Sequence, residues 1–227
     1  GWPPSHLTKE MGAREIEAGL RGAFQLAEWM ANPSMKALLP QMQRLPTVPE
    51  LYTQVMDLLA SPNSSTEDVG QLISRDPALT VKMLQMVNSA TFALVHPVSS
   101  AVEAVLFLGA ERIKALILVA NTSLHFDLSG CAGFSQDQFW HHSLATAELA
   151  RSIMQMETQN ARLADEAFTA GLLHDIGKLL FAANLTQKYS QTLSVARHQN
   201  MSDEEAERLA FGTSHAELGA CLLGTWR

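Results

Sequence analysis

Cysteine is scarce in this chain of 227 residues, and long apolar runs are missing. The two cysteines, Cys131 and Cys221, lie far apart and outside any CxxC pattern, which disfavours a disulfide framework and a thiolate metal site. The longest apolar stretches, such as residues 113–120, are far shorter than the roughly 20 residues that cross a bilayer. We therefore expect two buried packing cysteines and no membrane partner.

Basic residues are outnumbered by acidic ones, 16 against 23, so the net charge is −7. They form no stripe of the kind that contacts a phosphate backbone, and we expect no nucleic-acid partner. The first ten residues lack the basic and apolar regions of a secretory signal, which predicts a cytoplasmic protein. The eight histidines are the more unusual ionisable group.

Helical signals run through the sequence, whereas no run alternates apolar and polar residues for long enough to predict a strand. Three Ser/Glu capping boxes predict helix starts: Ser100 with Glu103, Ser202 with Glu205, and Ser214 with Glu217. Asp76 before Pro77 predicts a fourth start. With 47% hydrophobic residues, the chain is expected to fold as an all-α, multi-helix bundle of two lobes.

The predicted helices cover residues 12–31, 35–44, 49–60, 65–74, 77–88, 99–108, 110–126, 136–157, 162–183, 186–199, 202–211 and 214–226. Two interruptions divide them: the prolines of RLPTVP, and the Gly- and Ser-containing segment LSGCAGFS. We expect an N-terminal helical connector over residues 1–44, one lobe over 45–127 and a second over 128–227.

The segment GLLHDIGKLL places His174 and Asp175 side by side in an apolar run. A buried carboxylate needs a cation, hydrogen bonds or a metal, and a buried imidazole needs partners for its nitrogens. Lys178 lies three residues after Asp175 and four after His174, on the same helical surface. A simple pairing of Asp175 with Lys178 is therefore one interpretation, and a metal site is the other.

A metal site would require ligands from other helices, and His142 and His215 are the best suppliers. His142 belongs to a largely apolar stripe with positions 139, 146, 149 and 153, which predicts that it faces the core. His215 follows Ser214 in the first turn of the last helix. Imidazole and carboxylate together suit a divalent ion such as Fe or Mn. The candidate metal ligands are His142, His174, Asp175 and His215.

Several segments resemble successive motifs of the HDOD family, the HD-related output domains of bacterial signalling proteins. They are LPTVPELYTQVMDLL, SRDPALTVKMLQMVNSATF, LFLGAERIKALIL and GLLHDIGKLL, in this order. The likeness covers residues 45–227, and the His-Asp doublet relates it to the wider HD superfamily of metal-dependent phosphohydrolases. Asn88 and Gly109 are expected to close two of the helices in these segments.

The resemblance implies an all-α output or adaptor domain that acts through contacts with other signalling proteins. It also implies that residues 1–44 connect the domain to a receiver, as in a response regulator. Many members of this family have lost the catalytic residues, and here no histidine or distal aspartate follows His215. Either a C-terminal part is missing, or the metal set is incomplete.

The alternative is an active HD-type phosphohydrolase or cyclic-dinucleotide phosphodiesterase. In that case the four candidate ligands would hold a divalent ion, and Lys178 would stabilise phosphate charge. The sequence leaves the substrate, the partner protein and the oligomeric state open.

Overall fold

The computed structural model describes residues 21, 24, 26–44, 49–61 and 63–225. These residues form α-helices and short 3-10 turns, and no strand occurs among them, as the sequence predicts. Residues 26–31 are helical, so the C-terminal end of the predicted connector helix is confirmed. The part of that helix over residues 12–20, and residues 45–48 of the first interruption, lie outside the described residues.

The helices follow one another through short connections. In chain order they are α1 (Pro33–Leu38), α2 (Glu50–Ala60), α3 (Thr66–Ile73), α4 (Pro77–Val87), α5 (Ala101–Leu108), α6 (Ala110–His125), α7 (Gln136–Thr158), α8 (Ala161–Leu173), α9 (Ile176–Asn184), α10 (Thr186–Gln199), α11 (Asp203–Phe211) and α12 (His215–Thr225). Two 3-10 turns, Leu39–Gln41 and Ala90–Phe92, follow α1 and α4. No helix in the described ranges has the length and apolarity needed to cross a membrane.

Most of the predicted helix starts are confirmed by their hydrogen bonds. Ser202 and Glu205 form a reciprocal capping box at α11. The hydroxyl of Ser214 likewise accepts from the Glu217 amide, and the Glu217 carboxylate accepts from the Ser214 amide. At α4 the Asp76 carboxylate accepts from the amide of the third helical residue, at 3.0 Å. These starts are local features, which explains why the sequence reveals them.

Two predicted details differ at neighbouring helix ends. Ser100 caps α5, but the carboxylate of Glu103 accepts from Ser99, so the box is shifted by one residue. Asn88 has φ −82°, outside the left-handed region expected of it. Its side chain instead forms two hydrogen bonds of 2.8 Å with the backbone of Val98, across the following loop.

The prediction of one continuous helix over 162–183 is wrong, because a turn at His174 and Asp175 interrupts the helix. Helix α8 ends at Leu173, and α9 begins at Ile176. Apolar periodicity continues through the break, so the sequence pattern alone does not reveal it. The polar pair therefore occupies a turn between two helices, where the two side chains are not held at the angle of about 100° that separates neighbours in a helix.

The chain divides into two compact units. One contains residues up to 45, 128–134 and 174–227, and the other contains residues 46–127 and 135–173. This division differs from the lobes expected at 45–127 and 128–227, because α7 and α8 group with α2 to α6. We call the former the C-terminal unit and the latter the central unit.

Helices α7 and α8 of the central unit pack through small residues. A Cβ added to Gly171 on α8 would lie 2.8 Å from the Cα of Ala147 on α7. This contact turns the face with Leu144 and Ala147 inward, whereas Leu149 is 64% exposed. His142 is also exposed, so the prediction that its stripe faces the core is wrong. Apolar residues occur on two faces of α7, and packing selects between them.

Substitution of Gly171 by alanine should destabilise the protein by about 1–3 kcal/mol, because the new methyl group would meet backbone atoms that cannot rotate away. Urea unfolding followed by circular dichroism measures the change. Gly130→Ala is the matched control, since its Cβ would meet Thr186 at an ordinary 3.5 Å. Equal stability of the two variants would contradict this account of the α7–α8 contact.

Candidate functional site

Asp175 lies at the centre of a charged cluster in the C-terminal unit. It occupies the turn between α8 and α9, and its side chain is only 5% exposed. Its backbone carbonyl accepts a hydrogen bond from the Lys178 amide, at 2.9 Å, in the first turn of α9. The same turn brings the Lys178 side chain back over the carboxylate.

Three cationic or cation-forming side chains surround the Asp175 carboxylate. Lys178 Nζ is 2.9 Å from Oδ2, which confirms the simple pairing anticipated from the sequence. His215 Nε2 is 3.1 Å from Oδ1, and His174 Nε2 is 3.3 Å from the same oxygen. Both carboxylate oxygens are therefore contacted by the protein's own nitrogen atoms.

His215 also contacts a second carboxylate, that of Glu207 on α11. The ring Nδ1 is 2.6 Å from Glu207 Oε2, and the His215 backbone amide donates to the same oxygen at 2.7 Å. The other oxygen of Glu207 accepts from the Tyr189 hydroxyl at 3.0 Å. Glu207 is fully buried, so these donors replace the water that its charge would otherwise require.

Glu207 and Tyr189 were missed by the sequence reasoning. Glu207 lies four residues before the buried Phe211, so helical periodicity places it on the inner face of α11. A carboxylate on an inner face requires donors, and this signal could have identified it. Nothing in the local sequence identifies Tyr189 as the donor, because it comes from a different helix.

The pKa values follow from these contacts. Burial raises the pKa of the Asp175 carboxyl, but hydrogen bonds from His215 and Lys178 outweigh burial and hold that pKa well below its usual range. Burial lowers the pKa of the Lys178 ammonium, but the bond to Asp175 outweighs it and leaves that pKa raised. Asp175 and Lys178 are therefore a charged pair at neutral pH.

His215 is held in its protonated form. Burial disfavours the charged ring, but the bonds to Asp175 and Glu207 raise its pKa from 6.5 to about 9. A protonated imidazole donates from both nitrogens, which matches a carboxylate at each end. At neutral pH, His215 thus bridges two carboxylates as a cation.

Close packing of α9 on α12 brings His215 to Asp175. Gly177 follows Asp175 by two residues, and a Cβ at this position would overlap the backbone carbonyl oxygen of His215. Gly219, one turn further along α12, lies against Gly177 in the same contact. The glycine in the segment HDIGK therefore allows the approach on which the charged cluster depends.

Three of the four predicted metal ligands meet in this cluster: His174, Asp175 and His215. The fourth, His142, lies on α7 in the central unit, and its membership of a ligand set stays a prediction. Lys178 contacts Asp175 and also lies 3.7 Å from Asp203. It is therefore engaged with carboxylates of the chain itself.

The donor set fits a divalent ion in its chemistry. His174 and His215 supply imidazole nitrogen, and Asp175 supplies carboxylate oxygen, which together suit Fe, Mn or Zn. Glu207 at Nδ1 of His215 is the kind of carboxylate that orients a metal-binding imidazole and fixes its tautomer. For His215 to bind through Nε2, however, it must first lose the proton that it shares with Asp175.

Asp175→Asn should destabilise the protein by about 3–5 kcal/mol, because it removes the nearest counter-charge of the partly buried Lys178 and one of the two carboxylates that hold His215. Urea unfolding at neutral pH measures the loss. Asp203→Asn is the control, since that side chain is 44% exposed and 3.7 Å from Lys178. The control should cost less than about 1 kcal/mol. Equal losses of stability in the two variants would show that the contacts of Asp175 do not stabilise the fold more than an exposed ion pair does.

The raised pKa of His215 predicts a loss of stability in alkaline solution. Its contribution should be fully present below pH 6.5 and should disappear as the pH rises through about 9, where the folded protein releases the proton. Unfolding midpoints across this window, measured with a chelator present, test the prediction. His215→Gln should lack this loss, and a wild-type chain with constant stability across the window would contradict it.

Comparisons with known proteins agree on one family. The model of the HDOD domain matches residues 45–227, most of the chain. A curated but uncharacterized protein of Treponema pallidum (strain Nichols) is 23% identical over 182 residues, and the match covers 80% of this chain and 35% of that protein. This chain thus spans about a third of that relative's length.

Two solved structures share the fold. An HDOD domain protein of unknown function from Geobacter sulfurreducens has a TM-score of 0.65 at 26% identity, over 90% of this chain and 65% of that one. A protein of Shewanella amazonensis SB2B, provisionally named a phosphohydrolase, has a TM-score of 0.61 at 28% identity, over 84% and 66%. With the motifs and the all-helical fold, these matches establish that the chain belongs to the HDOD family.

Proposed function

We propose that this HDOD domain is an output or adaptor module of bacterial signal transduction that acts through contacts with other proteins. The observation that carries the proposal is the state of the Asp175 carboxylate. Lys178 contacts one of its oxygens and His215 the other, so the chain itself compensates the buried charge. A metal is not needed to make this site stable.

The charged cluster also has a structural role that suits an adaptor. Asp175 precedes α9, Tyr189 lies on α10, Glu207 on α11 and His215 on α12. Their hydrogen bonds join the four C-terminal helices through buried groups, and such networks give a fold rigidity when every member has a partner. A rigid module can transmit a change in contacts made elsewhere in the full-length protein.

In this proposal, residues 1–44 connect the module to an N-terminal receiver domain. Phosphorylation of the receiver would change its contacts with the connector and so shift the population of partner-binding states. The domain's own chemistry plays no part in this role.

Binding of the full-length protein to the products of neighbouring genes tests the proposal. Phosphorylation should change at least one such affinity by about 5-fold or more, measured by calorimetry. His174→Ala should leave that change intact, because the side chain is 35% exposed and the role requires no catalysis. If the full-length protein bound none of these products in either state, the proposal would be abandoned.

A metal-dependent phosphohydrolase is the second candidate, and the contact between Glu207 and His215 favours it. A carboxylate behind a ligating imidazole is common in metal sites, and the cluster already has this arrangement. His174, Asp175 and His215 would hold the ion, with His142 as the predicted fourth ligand. When bound, the ion would polarise a phosphoryl oxygen and lower the pKa of a bound water. Lys178 would lie beside the phosphate charge.

Metal content and hydrolysis decide between the two candidates. If the protein is an adaptor alone, expression with added Fe or Mn should yield no stoichiometric metal, and no phosphoester in a panel of nucleotides and cyclic dinucleotides should be cleaved. Stoichiometric metal with turnover, lost in His174→Ala but kept in His198→Ala, would establish the phosphohydrolase instead. His198 is an exposed histidine at the end of α10 and serves as the matched control.

A further inference from the structure

The central unit contains a cavity of about 330 Å³ between α4 and α7. Lys82 and Met86 line it from α4, and Ser89 lines it just beyond the end of that helix. Trp140 and Leu144 line it from α7. All of these residues belong to the central unit, and none of them is a member of the charged cluster.

Two residues that line this cavity each carry a buried hydrogen-bond donor that lacks an acceptor within the described part of the chain. Trp140 is only 4% exposed, and its indole N–H has no partner there. The Ser89 hydroxyl is buried and also has none. A buried donor without an acceptor costs roughly 1–3 kcal/mol. Two such donors at one cavity indicate a place for a ligand that brings its own acceptor atoms.

The charges around the cavity limit the ligand's own charge. Lys82 supplies one cation, Asp137 contributes a carboxylate, and His141 contributes an imidazole at the same cavity. A dianion would be poorly matched to a single ammonium beside a carboxylate, whereas a monoanion is matched by Lys82. An indole N–H only donates, so the group that meets it must accept. A carboxylate has two accepting oxygens and one negative charge, and it satisfies each of these conditions.

The remaining lining favours an apolar body behind the charged group. Met86 and Leu144 are buried, and the Trp140 ring presents a flat apolar face. The volume lies at the lower end of the range for small-molecule sites. We propose that this cavity binds a small organic carboxylate with an aromatic or branched apolar body. The proposal is independent of the signalling role proposed above.

NMR of the uniformly ¹⁵N-labelled full chain tests the proposal, because each tryptophan indole N–H gives its own signal. The Trp140 signal is assigned from Trp140→Phe. Benzoate is the probe, and benzamide is its neutral counterpart of the same shape. Benzoate should shift the Trp140 signal saturably and downfield, as a new hydrogen bond requires, whereas benzamide should shift it at least about tenfold more weakly.

Variants keep the test specific. Lys82→Met and Ser89→Ala should each weaken benzoate binding by about tenfold or more, because each removes a charged or hydrogen-bonding contact. Lys36→Met is the matched control, since Lys36 is exposed on α1 and lies outside the cavity. These variants should unfold at nearly the wild-type midpoint, because substitutions at exposed or half-buried positions change the free energy of unfolding only slightly.

Three outcomes would overturn the proposal. The first is an unchanged Trp140 signal at up to about 10 mM benzoate, a concentration that detects even weak complexes. The second is an equal response to benzamide, which would mean that the cavity takes apolar rings without recognising charge. The third is tighter binding of inorganic phosphate than of benzoate, which would assign the cavity to a different anion.

Discussion

The buried carboxylate of Asp175 is the constraint on which the C-terminal unit depends. A charge in this position must be compensated, and Lys178 and His215 approach its two oxygens. His215 is held in turn by Glu207, and Glu207 by Tyr189. One buried charge thus accounts for contacts that join helices α9 to α12, and removal of any member leaves another without its partner.

Local signals in the sequence predicted much of the fold, but they did not predict the assembly of the site. The cap at Asp76, the box at Ser202 and the pairing of Lys178 with Asp175 each involve residues within one turn of a helix. The contact between His215 and Glu207, and the break before α9, depend on which helices meet. Periodicity also misplaced His142, because α7 has apolar residues on two faces.

The two candidate functions require different protonation states of His215 Nε2. With both ring nitrogens protonated, His215 is a cation between Asp175 and Glu207, and the cluster is a closed structural network. With Nε2 deprotonated, the same imidazole is a ligand that Glu207 orients. These residues can therefore be retained because the loss of one partner leaves a buried charge uncompensated, so their presence alone is weak evidence for catalysis.

The contact between Gly177 and α12 ties the assembly of the site to one residue of the sequence. A larger residue at the position of Gly177 would push α12 outward and lengthen the distance between the imidazole and the aspartate, even if both were retained. A chain with His-Asp but no small residue two positions later would carry the doublet without the bridge. The doublet alone therefore does not ensure an assembled site, because the close approach of α9 and α12 also requires a small residue at position 177.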